Sequence, residues 1–168
     1  AVLMRTPGME KELATGFLLS EGWLASIKEI VLVRHCGGPI PGDSPEGPNE
    51  DVLTGSRNVV ETSSTTPDAA ARRSALGDVV QLIRSGCGRT GGGVLAENLP
   101  HLDAQVRIDR QMLPHLVAQL TRRQDAYRAA GGIHAAAVFD ASGETLVVAE
   151  DIGRHNAMDK ALGHCLLR

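Results

Sequence analysis

The residues best suited to chemistry form one block near the carboxyl end of the sequence, Glu150 to Lys160, which reads EDIGRHNAMDK. The block places seven ionisable or hydrogen-bonding side chains around Gly153, directly after an apolar run typical of a β-strand. Side chains at the junction between a strand and a helix can converge on a ligand. This block is therefore the first candidate for a functional site.

The side chains of the block suggest individual roles in binding. Arg154 is suited to hold a phosphate through two hydrogen bonds. Asn156 and Lys160 are one helical turn apart and would face the same ligand, while Asp151 would orient His155 or Arg154. The alternative is a network of caps and ion pairs that closes the turn between strand and helix, since such networks recur for structural reasons.

A second candidate is Cys87, which lies between two glycines. Glycines let the backbone approach a large ligand, and the nearby Arg84 and Arg89 would favour a reactive thiolate. The alternative is a loop cysteine without a role. The other two cysteines, Cys36 and Cys165, are interpreted as structural or incidental, and all three thiols are expected to be free.

A third candidate is His134, which lies in an otherwise apolar strand of alanines. Its small neighbours leave room for a large ligand, which a neutral imidazole would hydrogen-bond. The alternative is a core histidine whose hydrogen bonds are satisfied within the protein.

Composition limits the classes of protein to consider. A chain of 168 residues, 42% hydrophobic and 22% charged, is expected to form one domain with one core. The net charge of −3 argues against a nucleic-acid partner, and no run approaches the length of a membrane-spanning helix. We therefore expect a cytoplasmic protein.

Local patterns predict the elements that position the candidate residues. Thr6 is predicted to cap a helix over 8–21, and Asn156, with Asp159 three positions later, to cap a final helix. Apolar spacing predicts a helix over 110–129. Five runs predict strands. Three are 30–33, 58–62 and 77–83, and the other two, 133–139 and 144–149, are predicted to form a hairpin that is buried on both faces. The fold class is therefore α/β, with helices packed on a mixed sheet.

Three ordered segments together resemble one known family. They are Thr6 to Gly22, Gly131 to Ala137 and the block from Glu150 to Lys160. All three closely resemble the formate dehydrogenase accessory sulfurtransferases, the FdhD/NarQ family. The resemblance runs from residue 6 to residue 163.

The resemblance implies a fold and a function. The fold would have a core like that of cytidine deaminase, and the protein would be a homodimer. Such proteins carry sulfur, as a cysteine persulfide, from a cysteine desulfurase to the molybdenum cofactor, bis-molybdopterin guanine dinucleotide, for formate dehydrogenase. Cys87 would be the catalytic residue, and a guanine nucleotide is a further expected ligand. The cofactor-binding residues would be His134, Asp151, Arg154, His155, Asn156 and Lys160.

The sequence departs from the family pattern at one position of the cysteine loop. Family members read Cys-Gly-x-Cys-Gly where this chain has Cys87 but Thr90 in place of the second cysteine. One cysteine suffices to hold a persulfide but not to resolve it as an internal disulfide. A cofactor chaperone without sulfur transfer is therefore the alternative function. Family chains are also longer, so we expect this single FdhD-like domain, 1–168, to be incomplete at both ends.

A zinc deaminase is the third class, suggested only by the implied fold. Those enzymes need His-x-Glu together with Pro-Cys-x-x-Cys, and neither pattern is present around His134 or Cys87. No metal site is therefore expected.

Overall fold

The computed structural model describes residues 2–36, 59–64, 82–83 and 107–168. Helices and strands are mixed in these ranges, which confirms the α/β class. The strands are β1 (Val2–Leu3), β2 (Ile30–Cys36), β3 (Val59–Ser64), β4 (Leu82–Ile83), β5 (His134–Phe139) and β6 (Thr145–Asp151). The helices are α1 (Glu10–Ser20), α2 (Leu113–Arg122), α3 (Asp125–Ala130) and α4 (Arg154–Leu166). None of the helices in these ranges is long and apolar enough to cross a membrane.

The strands of the described ranges pair two by two. β1 lies parallel to β4, whereas β2 pairs antiparallel with β3 and β5 with β6. The β5–β6 register sets His134 opposite Asp151 and Ala136 opposite Ala149. The start of β5 and the end of β6 therefore lie side by side, next to the beginning of α4.

The turn of the β5–β6 hairpin is held by Asp140. Its Oδ1 accepts hydrogen bonds from the amide and hydroxyl of Ser142 and from the amide of Glu144, at 2.9, 2.6 and 2.9 Å. The Ser142 hydroxyl is the largest cause of a lowered pKa of Asp140, because these donors favour the charged carboxylate. Gly143 completes the turn with a φ of 87°, a conformation that favours glycine.

Burial along β6 alternates between its two faces. Val147, Ala149 and Asp151 are buried, whereas Leu146 is exposed. The prediction of a hairpin buried on both faces is therefore wrong for β6, because Leu146 on the opposite face is exposed and Val148 on that face is only half-buried. A core forms under α4, with Val147 and Ala149 packed against Ala161 of that helix.

Helix α1 packs against the other side of α4, and two glycines set their separation. A Cβ at Gly16 would overlap the carbonyl oxygen of Asp159, and a Cβ at Gly163 would overlap that of Glu12. The backbones of the two helices therefore touch directly. The resulting order is hairpin, α4 and then α1, with α4 in the centre of the described structure.

The first helix begins later than predicted and without its predicted cap. It runs from Glu10 to Ser20, preceded by Met9 in the left-handed conformation with a φ of 58°, and no side chain caps it. Glu10 instead accepts a hydrogen bond from the Gly8 amide at 2.7 Å and pairs with Arg5 at 2.9 Å. Partial burial opposes these contacts, but they lower the pKa of Glu10 overall. The Thr6 hydroxyl does not cap the helix because it binds Ile152.

The single helix predicted over 110–129 is interrupted. After a 3-10 turn at Arg110–Met112, α2 ends at Arg122 and α3 begins at Asp125. The break is stabilised from both sides. Arg128 donates to the carbonyls of Thr121 and Arg122, and the Glu150 carboxylate accepts from the amides of Ala126 and Tyr127 at 2.8 and 2.9 Å. Caps from other parts of the chain thus favour two helices over one.

Candidate functional site

The candidate block forms the junction between β6 and α4. β6 ends at Asp151, Gly153 is the N-cap residue, and α4 starts at Arg154. The prediction that Asn156 caps this helix is wrong, because it lies inside the first turn. The side-chain amide of Asn156 instead donates hydrogen bonds to Asp151 and to the carbonyl of Met4.

Lys160 is buried at the centre of this junction, with 1% of its side chain exposed. Its ammonium lies 2.7 Å from Oδ2 of Asp151, and it donates to the carbonyls of Thr6 and Glu150 at 2.9 and 3.1 Å. An ammonium has three N–H donors, and here three protein oxygens surround it. The charge is therefore balanced and hydrogen-bonded within the protein.

Asp151 is equally buried, and donors surround both of its oxygens. Oδ2 accepts from Lys160 and from the amide of Thr6 at 3.0 Å. Oδ1 accepts from the amide of Gly153 and from Nδ2 of Asn156, each at 2.9 Å. A buried carboxylate is tolerated when it is paired and hydrogen-bonded in this way. Asp151 therefore orients Asn156 and Lys160, and not His155 or Arg154 as predicted.

The same side chains fasten the beginning of the chain to the junction. Asn156 donates to the carbonyl of Met4 at 2.7 Å, and the Thr6 hydroxyl accepts from the amide of Ile152 at 2.9 Å. We call the buried side chains of Asp151, Asn156 and Lys160 the clamp, because together they hold residues 4–6. The clamp matches the structural alternative raised from the sequence, a network that closes the turn.

The remaining predicted binding residues lie outside the clamp and face solvent. Arg154 and His155, in the first turn of α4, are exposed, and so is His134 at the start of β5. Within the described part of the chain, their side chains make no hydrogen bond or ion pair. These three side chains are therefore open to a ligand, whereas the polar atoms of the clamp are already engaged. Cofactor binding by any of the six residues stays a prediction.

The candidate for covalent chemistry, Cys87, lies outside the described residues, as do Arg84, Arg89 and Thr90. Of the two other cysteines, Cys165 of α4 is a free thiol and is half-buried. Within the described ranges, no group of three or more His, Cys, Asp or Glu side chains is arranged to hold a metal ion.

Sequence reasoning missed the part that residues 4–6 play in this site. Thr6 uses its amide, its carbonyl and its hydroxyl in three separate bonds to the junction. The sequence signal was present, because a hydroxyl before a helix is a hydrogen-bond acceptor. Its partner is 146 residues away, however, and local rules for helix caps consider only neighbours in sequence.

Comparison with known proteins identifies the family of this chain. The model of the FdhD/NarQ family matches residues 1–168, the whole length of the chain. The chain belongs to the FdhD/NarQ family. The resemblance found in the three sequence segments is thereby confirmed.

Relatives of this FdhD/NarQ chain include two archaeal proteins, each named sulfur carrier protein FdhD. The chain is 33% identical to that of Saccharolobus solfataricus and 36% identical to that of Sulfurisphaera tokodaii, in each case over 167 residues. These alignments cover 99% of the chain but 55% of each relative. The chain thus spans about half the length of the curated relatives it matches.

A solved structure shows the same fold. A crystal structure described as a formate dehydrogenase accessory protein, from Desulfotalea psychrophila, aligns with a TM-score of 0.66 at 18% identity. The alignment covers 98% of this FdhD/NarQ chain and 53% of the other. At this level of identity the likeness establishes the mixed α/β fold alone. Whether the core resembles that of cytidine deaminase stays a prediction.

Proposed function

We propose that this chain is the sulfur-carrying part of an FdhD-type accessory protein, with Cys87 as the residue that holds the sulfur. The observation that carries this proposal is the match of the whole chain to a family whose curated members are named sulfur carrier proteins. Cys87 is the cysteine that falls on the family's cysteine loop.

The loading step needs one nucleophilic thiolate. The Cys87 thiolate attacks the outer sulfur of a persulfide on a cysteine desulfurase and forms a new S–S bond. The donor's own S–S bond breaks, and its cysteine leaves as a thiolate, so the step is balanced without an added oxidant or reductant. Arg84 and Arg89, three residues before and two after Cys87, favour the thiolate by their positive charge.

The client of the carried sulfur is the molybdenum cofactor, bis-molybdopterin guanine dinucleotide, destined for formate dehydrogenase. Its phosphates suit the exposed guanidinium of Arg154, which lies where the dipole of α4 also favours anions. His155 and His134 add exposed imidazoles near the same end of the helix. In this proposal the three exposed side chains touch the client, and the clamp fixes the backbone that carries them.

A second candidate function is a chaperone that binds the cofactor without transferring sulfur. The observation that favours it is Thr90, which stands where family members have a second cysteine. In that case Arg154 and its neighbours would bind the same ligand, and Cys87 would be a bystander. Both candidates include a homodimer, as the resemblance implies, and the cytoplasmic location expected from the sequence.

One experiment separates the two candidates. The purified chain is incubated with a cysteine desulfurase and isotopically labelled cysteine, and its intact mass is then measured without reductant. A sulfur carrier gains one labelled sulfur, which disappears in Cys87→Ala and persists in Cys165→Ala. Absence of the added sulfur from the wild-type chain would contradict the carrier and support the chaperone.

A further inference from the structure

Helix α2 carries more apolar surface than the β5–β6 hairpin covers. Its residues Leu113, Leu116, Val117 and Leu120 follow the spacing i, i+3, i+4, i+7 and form one stripe along the helix. The hairpin turn lies against one edge of this stripe, since a Cβ at Gly143 would lie 3.3 Å from Cδ2 of Leu116. None of the residues of α2 is fully buried. The other edge of the stripe is therefore open to a partner.

Two hydrogen bonds fix which side of α2 faces the hairpin. The side-chain amide of Gln119 donates to the carbonyl of Gly143 at 2.9 Å. The side-chain carbonyl of Gln119 accepts from the hydroxyl of Thr145 at 2.8 Å. The helix therefore cannot turn to bury the open edge of its stripe without breaking these bonds.

The open edge forms a continuous row on the surface. Leu113 and Val117 are 48% and 61% exposed, and residues four apart are neighbours on the surface of a helix. Arg110 lies in the 3-10 turn before α2, where residues three apart lie directly above one another, so it extends the row beyond Leu113. We call Arg110, Leu113 and Val117 the α2 ridge.

The α2 ridge lies in a part of the chain that has an excess of positive charge. Residues 107–130 contain five arginines and two aspartates, whereas the whole chain has 17 basic and 20 acidic residues. All five of these arginines are exposed: Arg107, Arg110, Arg122, Arg123 and Arg128. Arg128 pairs with Asp125, and Asp109 accepts from the amide of Gln111. The other four arginines make no ion pair within the described part of the chain.

We propose that the α2 ridge docks a protein partner whose contact surface is acidic and presents apolar side chains. An acidic surface complements the four arginines, and apolar side chains would bury Leu113 and Val117. An amphipathic helix that packs beside α2 is the simplest segment with both properties. The inference goes beyond the proposed function, because neither sulfur transfer nor cofactor binding enters it.

Two other classes of partner fit the α2 ridge less well. Surfaces that bind nucleic acid are more polar and much more positive than a ridge with two exposed aliphatic side chains. A helix that lies on a membrane buries its whole apolar side among the acyl chains. The hairpin already occupies one edge of the α2 stripe, so only the other edge could enter a membrane.

The probe is a synthetic acidic amphipathic peptide of about 14 residues, which is roughly four helical turns. Its leucines follow the spacing i, i+3, i+4, i+7, its other positions are glutamate and alanine, and one end carries a fluorophore. One matched peptide has lysine in place of glutamate, and a second has serine in place of leucine. Fluorescence anisotropy at low ionic strength measures the binding of each peptide to the full chain.

Paired variants test the apolar and the charged part of the ridge separately. Val117→Ser removes an exposed apolar side chain, and Val31→Ser, at a valine of β2 that is 63% exposed, is its matched control. Arg110→Glu reverses a charge on the ridge, and Lys28→Glu does so at an exposed lysine outside it. Circular dichroism checks that each variant is folded, as expected for substitutions of exposed side chains. Leu113→Ser replaces Val117→Ser if that variant does not fold.

We expect the wild-type chain to bind the acidic peptide saturably. The lysine peptide should bind at least about tenfold more weakly, because like charges then face each other, and the serine peptide severalfold more weakly. Val117→Ser and Arg110→Glu should each weaken binding of the acidic peptide severalfold. Val31→Ser and Lys28→Glu should bind it as the wild-type chain does.

Three results would overturn the inference. The first is an absence of binding between the wild-type chain and the acidic peptide, and the second is an equal loss of affinity in a ridge variant and its control. The third is a different occupant of the ridge. Binding to phosphatidylserine vesicles that Val117→Ser abolishes would identify a membrane, and a wild-type dimer that Val117→Ser dissociates in sedimentation would identify a second copy of the chain.

Discussion

The ammonium of Lys160 lies 2.7 Å from Oδ2 of Asp151, and both side chains are shielded from solvent. Burial keeps bulk solvent from both charges, so each depends on the other and on the surrounding amides and carbonyls. The pair joins the end of β6 to the second turn of α4, and through Thr6 it also joins both to the start of the chain. The main effect of this ion pair is to fix the positions of the backbone segments that it joins.

Replacement of Lys160 by methionine should strongly destabilise the protein. The variant keeps the length of the side chain but leaves the Asp151 carboxylate buried without its cation. Breaking a buried ion pair from one side costs about 3–5 kcal/mol. Urea denaturation followed by circular dichroism measures the difference. Lys28→Met, at an exposed lysine, is the control, and an equal loss in both variants would contradict the assigned role of the pair.

The acid sensitivity of the hairpin turn should depend on Asp140. Its pKa is lowered below the ordinary value of 3.8, chiefly by the Ser142 hydroxyl, so the unfolded chain binds the proton more tightly. The stabilisation by Asp140 is therefore present above that value and is lost as the pH falls through the lower folded-state pKa.

The unfolding free energies of wild type and Asp140→Asn should accordingly differ at neutral pH and converge as the pH falls through the lowered folded-state pKa of Asp140. Glu144→Gln, in the same hairpin, controls for the change in net charge. A difference between wild type and Asp140→Asn that stays constant with pH would refute the assignment.

Substitution of Gly163 by alanine should separate α1 from α4. The new methyl group would overlap the Glu12 carbonyl, which is backbone and cannot turn aside. Overpacking typically costs about 1–3 kcal/mol, which exceeds the gain of about 1 kcal/mol from the better helix propensity of alanine. Thermal unfolding tests this, with Leu162→Ala on the exposed face of the same helix as the control. A higher melting temperature for Gly163→Ala would show that the helices do not touch there.

Removal of the Glu150 carboxylate should loosen α3 alone. Its oxygens accept from the amides of Ala126 and Tyr127 at the beginning of that helix. Loss of such a cap costs about 1 kcal/mol, so Glu150→Ala should raise deuterium exchange in residues 125–130 severalfold while α4 stays protected. Exchange that rises equally in α4 would indicate a general loss of stability.

Removal of the Arg154 side chain should affect binding and leave stability unchanged. The side chain is exposed, so the unfolding free energy of Arg154→Ala should stay within about 0.5 kcal/mol of wild type. If the proposed function holds, binding of guanosine diphosphate, measured by calorimetry, should weaken at least about tenfold through loss of a charge-assisted contact. Arg122→Ala, an exposed arginine of α2, should bind the nucleotide as wild type does. Equal affinity in Arg154→Ala and wild type would exclude it as a phosphate ligand.

The sequence predicted those elements whose signals are local. The β-branched run that starts at Ile30 and the Asp140–Gly143 turn both lie where predicted, because propensity and turn chemistry depend on neighbouring residues. Helix α1 ends at Ser20, one residue before the predicted end at 21, and Gly22 follows with a φ of 70°.

The predictions that failed involve partners far away in sequence. Local rules assign Thr6 and Asn156 to the nearest helix end, but each binds a group more than 140 residues away. The break between α2 and α3 likewise depends on Glu150, more than 20 residues further on. The chemistry of each side chain was readable from the sequence, whereas the identity of its partner follows from the tertiary fold.

The contact between α1 and α4 sets the order in which these parts of the chain can fold during synthesis. α1 is synthesised well before α4, yet its surface from Glu12 to Gly16 packs against Asp159 and Gly163 of α4. Until those residues leave the ribosome, the apolar side chains of Leu13 and Phe17 lack part of the structure that buries them. Contacts of such long sequence separation form slowly and leave apolar surface open to aggregation. Helix α1 is thus a segment of the nascent chain that a chaperone would protect until α4 has been made.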